Sequence, residues 1–493
     1  MRLGVCTAKF LLVCFCMLGG LAPVLAFRVR QTTNLVADPQ TVNRLNGESF
    51  QQDALVTFDG YQYAAAWVAD STNSSVRHAT LSRRSLSESS SGWQTFTFTD
   101  YNQTEDDGHD MRVISFPLIG TANIGDRISL GVAPVDGTIH LSFDHHDNAL
   151  KYRVSTSGAA LSPSKTTWSP QLFGEILDYL PGLESLDKTM YFDSVTYPRF
   201  LSSEAASPVF LFELRVGRSG LGDDWLYEYV AGKGWLSIGR YLEGVNNNAY
   251  INGLDFDPHG NLVTTWTYRD YVNDTGQDVA VQAGPNGPEN NHDMDFASSP
   301  DLGRTWLNTW GQQIANVTAG SPVLPSSAGI TVFSIPKYGG ILNQESQTVD
   351  SVGRIHVLNR ENTTGVEQWY HYWRSTSGDW TRTALPLDLP SVNNITNTPT
   401  VIGKRGKFVS APSTDALLAL LPSNKPNSTA LSILASSPTG HFRDWRVLWE
   451  AESGCSAEVL FDRYRLTRGD GVLSLFVVNG TEVQVVDFEL GDV

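Results

Sequence analysis

The stretch that decides the fold is Ser299-Pro300-Asp301-Leu302-Gly303-Arg304-Thr305-Trp306. It matches the pattern S-x-D-x-G-x-T-W, known as an Asp-box, at every fixed position. In such a turn the short Ser and Asp side chains hydrogen-bond to the local backbone, while the Trp leaves solvent and packs between sheets. Ser375–Trp380 and Ser437–Trp445 are weaker copies. The motif predicts a repeated β-hairpin and says nothing about catalysis.

Two series of landmarks extend this repeat along the chain. Tryptophans that close Ser- or Gly-rich turns recur every 65 to 75 residues, at Trp93, Trp168, Trp235, Trp306, Trp380 and Trp445. Out of phase with them, a turn pair precedes a strand-like run at Asp59-Gly60, Asp136-Gly137, His259-Gly260, Val352-Gly353, Arg405-Gly406 and Asp470-Gly471. Between the second and third pairs, Ala206–Phe212 supplies a strand without such a turn. The chain therefore contains seven units.

Strand signals dominate each unit, because Val-, Thr- and aromatic-rich runs alternate with Gly, Asp, Asn and Ser clusters. No helical periodicity is convincing, and Ala416–Leu421 is predicted to be a buried strand. A four-stranded sheet cannot bury both faces alone, whereas radial packing of seven sheets buries them. We predict an all-β fold, a seven-bladed β-propeller of four-stranded antiparallel blades. A two-domain β-sandwich is the alternative, and the regular spacing argues against it.

The first 26 residues have the anatomy of a signal peptide. A basic start precedes the uncharged apolar run Phe10–Leu21, and small residues precede a plausible cleavage site between Ala26 and Phe27. The run is short for a membrane span. We predict a signal peptide over 1–26, a single propeller domain over 27–493 and a secreted, extracellular protein.

Cysteine usage and glycosylation signals agree with export. Only Cys455 lies outside the leader, so we predict a buried small apolar residue rather than a nucleophile, and no internal disulfide. Eight N-x-S/T sequons predict N-glycans: Asn73, Asn102, Asn273, Asn316, Asn362, Asn394, Asn427 and Asn479.

The chain is strongly acidic. Its 35 basic and 52 acidic residues give a net charge of −17, and loss of Arg2 and Lys9 with the leader makes it −19. Such a chain repels nucleic acid and anionic membranes. It would also repel an acidic polysaccharide at long range, so a site for one must gather its few arginines locally.

Histidine is scarce, and several of the ten lie in dense polar clusters. The clusters are Asp106–Asp110, which contains His109; His140 with Phe143–Asn148; and Asn290–Asp293. Any one of these histidines could be a solvated turn residue. Adjacent strand residues point to opposite faces, and no H-E-x-x-H spacing occurs, so a catalytic zinc is not favoured. We expect no required cofactor; a structural Ca²⁺ in an acidic loop stays open.

Several of these segments together resemble the BNR-repeat propellers that include ulvan lyases and fungal rhamnose–glucuronate lyases. The resemblance runs from about residue 50 to 360 and is carried by Asp107–His109, Gly137–His146, Leu150–Arg153, Val195–Phe200, Leu214–Asp223 and Asn291–Asp293. It departs at Met111–Asp126, which resembles an insertion that could reshape the cleft.

The resemblance implies roles for individual residues. His109 and His146 match the family's cleft histidines, with His145 open as the alternative to His146. Tyr197 matches a tyrosine of a Thr-Tyr-Pro segment and completes the predicted catalytic set. The predicted substrate-binding set is Arg215, Arg269, His145, Tyr250, His292 and Arg218, in which Arg215 would face the substrate carboxylate.

The chemistry of uronate elimination accounts for these residue types. A base must remove the weakly acidic C5 proton, and histidine titrates near neutrality. Arg215 or Arg269 could stabilise the carboxylate as charge builds on it. Tyr197 or His146 could protonate the leaving oxygen. Structural alternatives stay open: Tyr197 could serve packing, and Arg215 could form an ion pair between blades.

The expected activity is therefore a polysaccharide lyase that cleaves at O4 of glucuronic acid by β-elimination. Similarity to the fungal members implies release of L-rhamnose from rhamnosyl-α-1,4-glucuronate ends of arabinogalactan or gum polysaccharides. The expected partner is an acidic plant or algal polysaccharide, with no nucleic acid or membrane, and the expected state is a monomer. A sialidase-like glycosidase and a non-catalytic carbohydrate-binding propeller are the alternatives.

Overall fold

The computed structural model describes residues 27–41, 45–48, 51–87, 92–104, 128–203, 208–217, 222–244, 248–269, 290–392, 404–491 and 493, without the side chain of His146. The predicted signal peptide, His109, Met111–Asp126 and Arg218 lie outside the described residues.

The described residues form thirty strands in seven antiparallel sheets, which confirms the predicted seven-bladed propeller. The first half contains β1 Arg28–Ala37, β2 Leu55–Phe58, β3 Tyr61–Ala69, β4 Arg77–Ser85, β5 Gln94–Thr97, β6 Ile128–Val132, β7 Ile139–Phe143, β8 His146–Asn148, β9 Tyr152–Val154, β10 Val195–Ser203, β11 Val209–Val216, β12 Asp223–Val230, β13 Gly234–Leu242, β14 Ala249–Phe256 and β15 Leu262–Arg269.

The second half contains β16 Asn291–Ser299, β17 Thr305–Leu307, β18 Gln313–Asn316, β19 Thr331–Phe333, β20 Ser346–Val349, β21 Ile355–Glu361, β22 Gln368–Arg374, β23 Trp380–Ala384, β24 Lys407–Ser410, β25 Leu417–Pro422, β26 Leu431–Ser436, β27 Arg446–Ala451, β28 Leu460–Phe461, β29 Leu473–Asn479 and β30 Glu482–Glu489. Within the described ranges there are two short α-helices, α1 Lys188–Tyr191 and α2 Arg463–Arg468. The same ranges contain 3₁₀ turns at Pro163–Lys165, Pro170–Leu172 and Val317–Ala319.

The sheets define seven blades in chain order. Blade 1 is β2–β5, blade 2 is β6, β7 and β9, blade 3 is β10–β13 with β8 added inside, blade 4 is β14–β19, blade 5 is β20–β23, blade 6 is β24–β27, and blade 7 is β28–β30 with β1. Blade 7 therefore joins both ends of the chain, and β1 pairs with β30 from Arg28↔Glu489 to Ala37↔Glu482.

The core lies between the blades. Leu211 and Leu226 of blade 3 share one apolar cluster with Leu254 and Trp266 of blade 4, and Trp306 completes that cluster. Fully buried residues on facing sheets exclude water from each blade interface, which is the dominant stabilising effect in such a ring.

The Asp-box turn shows how one motif contributes to this core. The Asp301 carboxylate accepts hydrogen bonds from the Thr305 amide and hydroxyl, both at 2.8 Å. Trp306 is the central residue of the strand β17, donates to the Gly303 carbonyl at 3.0 Å and stacks on Tyr241 of blade 3 at 5.0 Å. The polar half of the motif fixes the turn, and its indole connects neighbouring blades.

Most predicted turns join the first and second strands of a blade, but Arg405-Gly406 does not. Those two residues precede β24, and the hairpin of blade 6 turns at Asp415, where φ is 56°. Arg405 is instead fully buried, 3.0 Å from Glu458. Gly406 is needed for packing, because a Cβ there would lie 2.8 Å from Leu358. The even spacing of the turn pairs along the sequence does not reveal this difference.

Two other local predictions are confirmed. β25 covers the predicted buried strand around Ala416–Leu421, and Cys455 is free and buried. Blade 2 departs from the four-stranded pattern, because its described residues form three strands. At the outer edge, where a fourth strand would lie, these residues form the isolated bridges Tyr152↔Leu177 and Ser155↔Phe173.

The helix α2 lies across the end of the ring where β10 and β14 finish. Arg463 forms an ion pair with Asp255 at 2.8 Å, and Arg468 donates to the Ser202 carbonyl at 2.6 Å. The Tyr464 hydroxyl accepts from the Ser202 amide at 3.0 Å. These contacts occupy one face of the ring, and β10 and β14 begin at the opposite face.

Candidate active site on blades 3 and 4

Four of the predicted site residues meet at the open face of the ring. Tyr197 and Tyr250 lie where the inner strands β10 and β14 begin, and Arg215 and Arg269 lie where the second strands β11 and β15 end. In an antiparallel pair the start of one strand lies beside the end of the next. Two blades therefore present a tyrosine and an arginine each at the same edge.

Tyr250 contacts both guanidinium groups. The Arg215 Cζ is 5.6 Å from the Tyr250 ring centroid, and the Arg269 Cζ is 4.6 Å from it. Both distances are within the range of cation–π attraction. Tyr250 is only 4% exposed, so one buried ring contacts two positive charges. Such a pair suits an anionic ligand.

Tyr197 stands beside this group in a strained conformation. Its φ is +57°, which aromatic side chains rarely adopt, and the pairing of β10 with β11 shifts register between Thr196 and Arg199. The ring is half-buried and its centroid is 6.2 Å from that of Tyr250. Backbone strain of about 1–3 kcal/mol is typical of residues whose position serves a site.

Arg215 is held by close backbone contacts. It is 3% exposed, donates to the Gly217 carbonyl at 3.1 Å and to the side chain of Asn248. Gly222 passes so near that a Cβ there would lie 2.3 Å from the Arg215 Cζ, which explains a glycine at that position.

The Arg215 guanidinium keeps its positive charge. Burial alone would lower its pKa, but Tyr250, Asp147, Tyr197 and Asp224 outweigh burial and raise the pKa above its ordinary value. The guanidinium therefore stays protonated at every working pH.

Arg269 connects the stack to the third histidine cluster. Its Nε donates to the Asn291 Oδ1 at 2.8 Å, across the β15–β16 register. The next residue, His292, contacts the Asp293 carboxylate through Nδ1 at 2.9 Å, and its side chain is 21% exposed. Burial alone would raise the pKa of Asp293, but hydrogen bonds from His292 and the Ile335 amide lower it below its ordinary value. The carboxylate thus orients an accessible imidazole.

The two adjacent histidines that follow β7 have different surroundings. His145 is buried and its Nε2 lies 2.9 Å from the Ser142 hydroxyl. Burial and the charge of Lys151 hold its pKa well below the ordinary value, so it is neutral. The main chain of His146 pairs instead with Thr196 on the inner edge of blade 3, one residue from Tyr197.

Residues 61–386 match the BNR repeat-containing family. The chain belongs to that family. This confirms the resemblance read from the motifs, and the match reaches further toward the C-terminus than those motifs did. Among curated proteins, no sequence matches this BNR-repeat protein.

Solved structures give the same fold. The polysaccharide lyase Uly1 is similar with a TM-score of 0.64 at 15% identity, covering 94% of this chain and 99% of that chain. A PL25 ulvan lyase bound to -[GlcA(1-4)Rha3S]- is similar with a TM-score of 0.60 at 14% identity, covering 93% and 96%. At such identities the similarity of these proteins to the BNR-repeat chain establishes a shared architecture.

The fold thus brings together Tyr197, Arg215, Tyr250 and Arg269, with His292 adjoining through Asn291. It does not bring the side chain of His145 to this group. The predicted roles of His109, His146 and Arg218 stay predictions, because the structure does not describe those side chains.

Sequence reasoning missed Asn248, which accepts from Arg215 at a φ of +33°. Asparagine tolerates positive φ better than most residues, and its place just before an inner strand was the available signal. It also missed the buried carboxyls Glu213 and Asp224 beneath Arg215, for which the strand sequence carries no signal.

The described residues hold no group of three or more His, Cys, Asp or Glu side chains arranged for a metal ion. Within the same part of the chain, no helix is both long and apolar enough to cross a bilayer.

Proposed function

We propose that this protein is a polysaccharide lyase that cleaves a glycosidic bond at O4 of glucuronic acid by β-elimination. The observation that carries the proposal is the pair of arginines that contact the Tyr250 ring, with the strained Tyr197 beside them. In a chain of net charge −17, two cations gathered at one ring suit an anionic ligand, and a uronate carboxylate is one.

The arginines would act on the reacting centre through the carboxylate. As the C5 proton leaves, negative charge spreads onto the carboxyl oxygens, and fixed donors stabilise that charge without reorganising. Arg215 is buried and rigid, whereas Arg269 is more exposed, so Arg215 is the stronger candidate for the bidentate contact.

The elimination needs two proton transfers and no water. A base takes the C5 proton, the C5–H electrons form the C4=C5 bond, the C4–O4 bond breaks, and the departing oxygen takes a proton. Tyr197 is a candidate for one transfer, and His109 or His146 for the other. His292, oriented by Asp293, is a further accessible imidazole on the same face.

The substrate class extends this proposal. One structural relative is described as a ulvan lyase bound to a glucuronate-(1-4)-rhamnose-3-sulfate repeat, which supports glucuronate as the acidic sugar. We propose release of L-rhamnose from rhamnosyl-α-1,4-glucuronate ends of arabinogalactan or gum polysaccharides, acting outside the cell after removal of residues 1–26. Protein from the culture medium that retains Met1 and carries no glycan would contradict the proposed route.

The test is the chemistry of the product. Purified protein is incubated with arabinogalactan, gum and ulvan, and ultraviolet absorbance of the C4–C5 double bond is followed together with free rhamnose. A lyase that acts on rhamnosyl-glucuronate ends produces both signals together, and absorbance without free rhamnose would keep the lyase assignment but overturn the proposed release of rhamnose. Sugar released without absorbance would indicate hydrolysis, and binding without either signal would indicate a carbohydrate-binding protein; each outcome would refute the proposal.

Two variants make the test specific to the site. Arg215→Ala is expected to lose most turnover, whereas Arg446→Gln, which removes an exposed arginine on β27, is expected to retain it. Equal activity of the two variants would reject Arg215 as the carboxylate ligand.

A further inference from the structure

Two acidic residues lie beneath Arg215 with no place in the reaction described above. Glu213 precedes Arg215 by two residues on β11. Asp224, on β12, is the cross-strand partner of Arg215. Residues two apart on a strand, and directly paired residues, share a face of the sheet. The three side chains therefore lie together, and Glu213 and Asp224 are each only 2% exposed.

The two carboxyl groups perturb each other's pKa, and the Glu213 Oε2 and the Asp224 Oδ2 are both buried without a hydrogen-bond partner. An ionised carboxylate only accepts hydrogen bonds, so a bond between two of them requires a proton on one. Two like charges in a buried site also cannot both ionise without a large cost. The crowding of two buried acids on one face of the sheet thus favours a shared proton between Glu213 and Asp224.

Electrostatics supports the same conclusion. Burial raises the pKa of Glu213 to about 7, against the opposing charge of Arg199, whose Nε lies 3.5 Å from the Glu213 Oε2. Burial and the neighbouring Glu213 raise the pKa of Asp224 well above its ordinary value. One proton is therefore retained at neutral pH.

The other charged and titratable groups around the pair do not neutralise the second carboxylate in place of that proton. Asp223 is occupied by Arg240, at 3.0 Å, and by the Gly244 amide. Tyr241 and Tyr268 face the pair from β13 and β15, and burial raises the pKa of both phenols well above their ordinary value. Both tyrosines remain neutral in the range where the acids titrate.

Other groups also lie close to Arg215. Asp147 on β8 and the phenols of Tyr197 and Tyr250 contribute to its electrostatic environment. These groups lie on the side where a substrate would bind, whereas Glu213 and Asp224 lie behind it.

We propose that Glu213 and Asp224 are positioning residues that share one proton, and that this proton keeps Arg215 available as a net positive charge for the substrate carboxylate. The inference rests on the proposed function. With one proton, Arg199 and Arg215 face a single negative charge from the pair. With both acids ionised they face two, and the attraction for a uronate falls.

Uronate binding is then coupled to proton binding. Above the pH at which the pair loses its proton, the KM for a glucuronate polymer should rise, approaching about tenfold for each pH unit. In that same range, binding of sodium D-glucuronate should take up a proton from solution. Isothermal titration in buffers of different ionisation enthalpy measures that uptake directly, without any substitution.

The matched variants are Asp224→Asn and Glu228→Gln. Asparagine retains a hydrogen-bonding side chain and removes one ionisation, so Asp224→Asn should make KM nearly independent of pH between about pH 6 and about pH 9. Glu228 lies on the same strand but pairs with Arg304 at the outer side of the blade, so Glu228→Gln should keep the wild-type profile. A purely structural role for Asp224 would change stability and leave the slope of the KM profile intact.

The outcomes separate the two proposals. Glucuronate binding by the wild type without proton uptake, or an Asp224→Asn enzyme that keeps the wild-type slope, would overturn the coupling while leaving the lyase assignment in place. If the wild type neither binds glucuronate nor forms an unsaturated product, the proposed function itself fails.

Discussion

Tyr197 offers a test of whether the site stores backbone strain. A left-handed φ costs a non-glycine residue about 1–2 kcal/mol, whereas glycine in a strand is ordinarily about 0.5–1 kcal/mol less stable than alanine. Tyr197→Ala and Tyr197→Gly both remove the ring and its contact with Tyr250, so their difference isolates the backbone. At a φ of +57° the strain relief exceeds the entropic cost, and the glycine variant should be more stable than the alanine variant by about 0.5–1 kcal/mol.

The assay is denaturant unfolding followed by tryptophan fluorescence, with the slope of the transition checked for equality between variants. Ala384→Gly provides the control, because Ala384 lies in β23 outside the left-handed region. There the glycine should be less stable than the alanine by about 0.5–1 kcal/mol. A Tyr197→Gly protein less stable than Tyr197→Ala would refute the strain argument. If the phenol transfers a proton, both variants should also lose at least about 10²-fold in turnover.

Three further results are expected. Arg269→Gln should raise KM for glucuronate polymers by about tenfold, because a charge-assisted hydrogen bond contributes about 1.5–3 kcal/mol; steady-state kinetics with an unchanged KM would contradict its role. His109→Phe should lower turnover by at least about 10²-fold, and full activity would remove His109 from the mechanism. Burial lowers the pKa of His140 from 6.5 to about 3, so the folded state binds fewer protons than the unfolded chain; this residue's contribution to stability is present above pH 6.5 and is lost as pH falls toward 3. Across that range the unfolding free energy of His140→Phe should depend less on pH than that of the wild type. An unchanged slope would show that His140 is not the cause of the pH dependence.

The fold could be predicted because its signals are local. The turn at Asp59-Gly60 takes positive φ at both residues, 45° and 72°, and forms the hairpin between β2 and β3 as its sequence indicates. The prediction was wrong at Arg405-Gly406 because spacing alone cannot tell a turn from a buried arginine next to a tightly packed glycine. That distinction depends on Glu458, which is 53 residues away.

The site could be predicted only in part. Tyr197 and Arg269 lie 72 residues apart and meet because consecutive blades present equivalent strand ends, which no local pattern reveals; the family resemblance supplied those positions. The Glu213–Asp224 pair could not be foreseen, since an acid in an alternating strand is ordinarily predicted to face solvent. Its burial depends on Arg199, on a neighbouring strand.

The pairing of β1 with β30 has a consequence for how the chain matures. Residues separated by 461 positions must meet before the last blade has its outer strand, so ring closure is the most non-local event in folding and should be among the slowest. Until then β30 presents an unpaired edge of the kind that recruits foreign strands. All seven blades must be synthesised before that edge can be covered, and a chaperone that shields it during folding would raise the yield of native protein more than one acting on any single blade.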